Sequence, residues 1–168
     1  KRAAYILIPF LAALTIRFAP TLITGVPFHV DSWPQIRQTE LILQNSPAPL
    51  GSSLFDGYNS FWPAASIFGA VTSQLTSLSA LSSMAIMIPT AAALTIPIFY
   101  ALIKKLTESS QTALIASALL SVAFPYALFT AGITKESFAN PIYIALILVF
   151  LLKHNWKTAL LFSAGSVA

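Results

Sequence analysis

An all-α, polytopic membrane fold is the expectation for this 168-residue sequence, and three features predict it. Hydrophobic residues make up 57% of the chain and Asp, Glu, Lys and Arg only 8%, against roughly 25% charged residues in an ordinary soluble domain. The mean hydropathy is +0.79. Apolar runs close to the ~20 residues that cross a bilayer recur along the chain, with the polar residues gathered between them. Cysteine is absent, which removes disulfides, thiolate nucleophiles and thiolate metal sites. The net charge of +4 comes from basic residues at segment ends. They do not form the cluster that nucleic acid would need, so no nucleic-acid partner is expected.

The first span runs over about residues 4–23, a length that matches a hydrocarbon core of ~30 Å at ~1.5 Å per residue. Lys1-Arg2 ahead of it has the look of a signal-peptide start. The apolar run is too long for that, however, and no Ala-x-Ala cleavage site follows. Arg17 lies inside this span and has to snorkel or pair to escape the cost of burial. Further spans are expected at about 83–103, 112–129 and 137–152, and another begins near residue 158. Pro89, Pro97 and Pro125 fall within them and are expected to kink them. The chain starts at Lys1 without a methionine and stops at Ala168 within an apolar stretch, as the N-terminal part (residues 1–168) of a longer transmembrane protein would.

Residues 25–82 form a long first loop, punctuated by Pro, Gly, Ser and Asn. Two helices are expected in it, about 33–44 and 61–78. The second is apolar enough to cross, yet it carries Ser66, Thr72, Ser73, Gln74, Thr76 and Ser77. The positive-inside rule decides. If 61–78 lies along the interface, Lys1-Arg2, Lys104-Lys105 and Lys153–Lys157 share the inner side, and Asp31 shares the outer side with Lys135-Glu136. If it crosses, these groups scatter. Ile67, Val71, Leu75 and Leu78 also recur at helical spacing, as in a helix lying in the interface.

Asp31 is one of only five carboxylates. It follows the first span and precedes Ser32-Trp33-Pro34-Gln35, which reads as a helix start with Ser32 as cap and Gln35 completing a capping box. That would hold the carboxylate at a defined point near the membrane face, making it the candidate catalytic residue. Arg37 and Glu40 follow on the same helix, Glu40 most simply as a solvated partner of Arg37. Thr134-Lys135-Glu136 is a second polar island. Glu136 there is either a first-turn carboxylate favoured by the helix dipole or, with Asp31, part of a site for Mg²⁺ or Mn²⁺. Lys135 and Arg37 are candidate contacts for phosphate oxygens, and His29 and Tyr58 for substrate. His29 alone is a weak metal signal, and Tyr58, Phe61 and Trp62 are either interfacial anchors or stacking surfaces. No nucleotide-binding, zinc-protease or serine-hydrolase motif appears.

The order Ile16-Arg17-Phe18, His29-Val30-Asp31-Ser32-Trp33, Tyr58-Asn59-Ser60-Phe61-Trp62-Pro63, Phe124-Pro125-Tyr126 and Ala131-Gly132-Ile133-Thr134-Lys135-Glu136 resembles the N-terminal part of the GT-C superfamily of membrane glycosyltransferases. Its nearest flavour is the catalytic subunit of oligosaccharyltransferase, with protein mannosyltransferases more distant. The resemblance implies a sugar moved from a polyprenyl-phosphate-linked donor at the extracytoplasmic face, Asp31 as the essential first-loop acid, and a divalent metal in one branch. Two departures are plain: Lys135 stands where the oligosaccharyltransferase motif has an acid, and Ser32 where it has a proline. They favour a general GT-C enzyme of the cell envelope over a true oligosaccharyltransferase. The rival classes are a transporter or flippase of lipid-linked or polar substrates, which needs polar groups along its spans, and a non-catalytic membrane scaffold. A cavity with Asp31 on its wall would favour the enzyme. Asp31 facing open water, or paired with Arg17, would favour the scaffold.

Overall fold

The computed structural model of the protein describes residues 5–45 and 61–152. Among these the regular structure is helical, without strands. Along the chain the helices are α1 Leu7–Thr24, α2 Ser32–Gln44, α3 Ala64–Thr76, α4 Ala80–Ala93, α5 Thr95–Thr107, α6 Ser110–Val122, α7 Phe124–Phe129 and α8 Lys135–Leu151. α4 packs against α1, α3 and α8, while α5 packs against α6 and α8 and α2 lies on α3. The span expected from residue 158, together with Tyr58, lies outside the described residues.

Local chemistry sets the helix ends. Gly25 closes α1 in the left-handed region (φ +70°), its N–H donating to the Thr21 carbonyl at 2.9 Å. Ser79, Ser109 and Thr134 cap α4, α6 and α8, each accepting the N–H three residues on. Each such cap contributes about 1 kcal/mol.

Among the described residues two segments are long and apolar enough to cross a membrane: α1, with 18 residues, and the 28-residue stretch Ala80–Thr107. The latter is α4 and α5 joined at Leu94, whose N–H reaches the carbonyls of both Thr90 and Ala91. Pro97 has no N–H to offer Ala93, so the hydrogen-bond ladder is interrupted there. The expected span 112–129 is instead two helices. α6 ends at Val122, the chain leaves helical geometry at Ala123 (φ −59°, ψ 107°), and α7 starts with Pro125 in its first turn. A continuous helix would drive the Pro125 ring into the carbonyl of Ser121.

On α3 three polar side chains face inward and three apolar ones outward, while Gln74 and Thr76 are also exposed. Ser66, Thr72 and Ser73 are buried, whereas Ile67, Val71 and Leu75 are 39%, 47% and 79% exposed. The buried polar face meets α2 and α4. Thr39 Oγ1 lies 3.3 Å from the Ser66 carbonyl oxygen and 2.8 Å from Met84 Sδ. Ser66 Oγ lies 3.1 Å from Oε1 of both Gln35 and Gln38, and Thr72 and Ser83 share a 2.7 Å hydroxyl–hydroxyl bond.

Arg17 neither snorkels nor finds a carboxylate. It is fully buried, its Nη1 donates back to the Ala13 carbonyl at 3.0 Å, and its guanidinium lies 5.1 Å from the centre of the Tyr126 ring. The contact of α1 with α4, α5 and α6 around Ala13, Ala93, Ile96 and Leu120 is apolar.

The tightest point of the α2–α3–α4 contact is Gly69. A Cβ there would stand 2.8 Å from Met84 Cγ and 3.0 Å from Thr39 Oγ1. Gly69→Val is expected to destabilise the protein by about 1–3 kcal/mol through overpacking, read as a lowered midpoint of denaturant unfolding in mild detergent. Val71→Ala, on the exposed face of α3, should leave that midpoint nearly unchanged.

Candidate functional site

The segment from Gly25 to Asp31 carries the chain out of α1 and into α2, and it is held in an unusual conformation. His29 has φ +77°, in the left-handed region that a non-glycine residue adopts only at a cost. This turn brings the imidazole back onto the residue two positions ahead. His29 Nδ1 lies 3.2 Å from Asp31 Oδ2 and 3.3 Å from the Asp31 backbone N. Those two contacts need opposite states of one nitrogen. A bare Nδ1 accepts the Asp31 N–H, whereas a protonated Nδ1 donates to the carboxylate. Which of the two Asp31 groups Nδ1 holds is therefore set by whether Nδ1 itself bears the ring N–H.

Asp31 itself occupies the N-cap position of α2 without making a side-chain cap bond. The helix dipole favours an anion there. The carboxylate is open, with 69% of the side chain exposed. Ser32 was the expected cap, but the helix starts one residue earlier and its hydroxyl has another use. Ser32 Oγ–H donates to the Phe28 carbonyl at 2.6 Å, and Oγ accepts the N–H of Ile133 at 3.0 Å. The second bond joins residues 101 positions apart in the chain. It fastens the start of α2 to the turn between α7 and α8.

Gly132 makes that approach possible. A Cβ on it would stand 3.1 Å from both the Phe28 carbonyl oxygen and His29 Cβ. The His29 ring also lies 6.4 Å from that of Phe129, at the end of α7. The two polar islands of the sequence thus meet through Ser32, Ile133 and Gly132, immediately before Lys135 and Glu136 open α8.

The remaining candidates are more dispersed. Arg37 is exposed on the outward stripe of α2, along with Trp33, Glu40 and Gln44. Lys135 is half-buried, and Glu136 is exposed in the first turn of α8, where the helix dipole favours it. Among the described residues no three of His, Asp and Glu come together as metal ligands. Asp31 and Glu136, the two candidate metal ligands, are both exposed at helix starts. A cavity of about 300 Å³ lies elsewhere, lined by Tyr5, Tyr100, Ser110, Gln111 and Leu114.

Sequence reasoning missed the roles of Ser32 and Gly132. The only available signal was that both fall within the short motifs around Asp31 and Lys135. The docking bond yields a direct expectation. Ser32→Ala leaves the Ile133 N–H buried without an acceptor, which costs about 1–3 kcal/mol. Hydrogen exchange at Ile133 should then accelerate by one to two orders of magnitude, while exchange in the centre of α4 stays slow.

Comparison with protein-family models, with curated proteins and with solved structures gives no match for this chain.

Proposed function

We propose that this chain is part of a polytopic membrane glycosyltransferase of GT-C type. It would transfer a sugar from a polyprenyl-phosphate-linked donor to an acceptor at the extracytoplasmic membrane face. The observation that carries this reading is the Ser32–Ile133 bond, which joins the two motif-bearing segments on which the resemblance rests. Three further features support it. The Asp31 carboxylate is placed at a helix start but not used as a cap. Backbone strain at His29 holds the adjacent turn, as strain often does at functional sites. The apolar faces of α1 and α3 point outward, which suits a bilayer and not water.

In this mechanism Asp31 accepts the proton of the acceptor's nucleophilic group as that group attacks the anomeric carbon. The bond from the anomeric carbon to the donor's phosphate oxygen breaks, and the lipid phosphate departs with the electron pair. Lys135 and Arg37 offset its charge, and His29 orients the carboxylate. No step is assigned to a metal, because the described donor set is incomplete.

A second reading, the non-catalytic scaffold, is favoured by the exposure of Asp31. On that reading the His29–Asp31 pair is a helix-start device. Asp31→Asn separates the two because it keeps the shape and removes the base. Transfer of radiolabelled sugar from polyprenyl-phosphate donors, in membranes carrying the full-length protein, should fall about 10²–10⁴-fold. Transfer at the wild-type rate by a folded Asp31→Asn protein would assign Asp31 to the scaffold.

Topology has its own check, simplified by the absence of cysteine from these 168 residues. Single cysteines in Val30→Cys and Glu136→Cys should react with an impermeant maleimide from outside the cell, and Lys105→Cys only after permeabilisation. Labelling of positions 30 and 136 from opposite sides would remove the proposed arrangement.

A further inference from the structure

Arg17 is among the largest fully buried side chains in the described structure, at 0% exposure, and sits inside an apolar helix. Nη1 is satisfied by the Ala13 carbonyl. Nε and Nη2 are buried without a hydrogen-bond partner among the described residues, as is the hydroxyl of Tyr126, whose ring lies over the guanidinium. Which nitrogens remain is informative. Nε–H and Nη2–H project in parallel from one edge of the guanidinium plane, the edge that grips two oxygens of a carboxylate or phosphate. The ring face of Tyr126 offsets part of the positive charge. The described carboxylates do not contribute, since Asp31, Glu40, Glu108 and Glu136 are all exposed.

We propose that Arg17 and Tyr126 form a binding site for the phosphate of a membrane lipid. Nε and Nη2 hold two phosphate oxygens, and the Tyr126 hydroxyl supplies a third donor. The ligand is a lipid because of where the fork lies. α1 is long and apolar enough to cross a membrane, and Leu11, Leu22 and Ile23 are exposed along it. An anion arriving there is best carried on an apolar body. Of the elements packed on α1, α7 lays the Tyr126 ring over the guanidinium, and it is a six-residue helix joined to α6 through the break at Ala123; entry of the phosphate requires this short element to give way. This inference stands apart from the transferase reading and does not use Asp31.

The full-length protein in dodecyl maltoside can be titrated with dioleoyl phosphatidic acid and followed by native mass spectrometry. Dioleoylglycerol supplies the same tails without phosphate, and inorganic phosphate the anion without tails. One phosphatidic acid should bind saturably and dioleoylglycerol should not. Arg17→Gln should abolish binding. Arg17→Lys, which keeps the charge and loses the fork, and Tyr126→Phe, which loses one hydroxyl and no packing, should each weaken it about tenfold. Asp31→Asn should leave it unchanged, whatever it does to transfer. Inorganic phosphate binding as tightly, with the same dependence on Arg17, would keep the oxyanion site and overturn the lipid source. Phosphatidic acid binding that is unchanged in Tyr126→Phe and Arg17→Lys, or absent in the wild-type protein, would overturn the site.

Discussion

The hydroxyl and amide contacts among Thr39, Ser66, Gln35, Gln38, Thr72 and Ser83 join α2, α3 and α4, and much of the structure is arranged around them. In water these groups gain little from facing one another, since solvent serves them equally well. Buried in the same contact as the apolar cluster of Ile36, Ala65, Met84 and Ile88, an unpaired hydroxyl would be costly, so the pairing decides which faces of the helices meet. The same constraint turns Ile67, Val71 and Leu75 of α3 outward. Gly69 sharpens the contact by letting Met84 and Thr39 approach where any side chain would intrude.

The placement of the candidate site follows from that packing. With α2 anchored along its length by α3 and α4, its first turn has a fixed position, and Ser32 can reach Ile133 across a long chain separation. The bond satisfies a buried backbone N–H, so its value lies mainly in what its loss would leave unpaired. It leaves Asp31 projecting from the end of a helix whose base is immobilised on both sides. The left-handed backbone at His29 is sustained by the same clamp, because Gly132 packs directly beneath it.

α7 links this surface region to the interior. Phe129 meets the His29 ring, and Tyr126, one turn earlier on the same short helix, covers Arg17. The charged head of Arg17 turns back along α1 toward Ala13, so the cation is drawn inward instead of outward. A long side chain in an apolar helix can place its head in either direction. Here the Tyr126 ring face and the Ala13 carbonyl lie on the inner side, and α7, beyond the break at Ala123, brings the ring there.

Much of the architecture was legible from the order of residues alone. Composition and apolar runs of near-bilayer length pointed to helices, as the described residues form, and the helical spacing of Ile67, Val71, Leu75 and Leu78 in 61–78 marked α3 as a helix with two unlike faces. The identity of Asp31 as a rare carboxylate at a helix start could also be read directly. Tertiary structure decided the rest. Whether Ser32 caps its own helix or binds Ile133 depends on a partner 101 residues away, and local propensity carries no information about such a partner. The break of 112–129 into α6 and α7 depends on where the Pro125 ring would strike the preceding turn. The fate of Arg17 depends on Tyr126, which only packing brings to it. Composition and periodicity are properties of neighbours along the chain, so they determine the helices. The pairing of buried polar groups is a property of neighbours in space, and it decided how those helices meet.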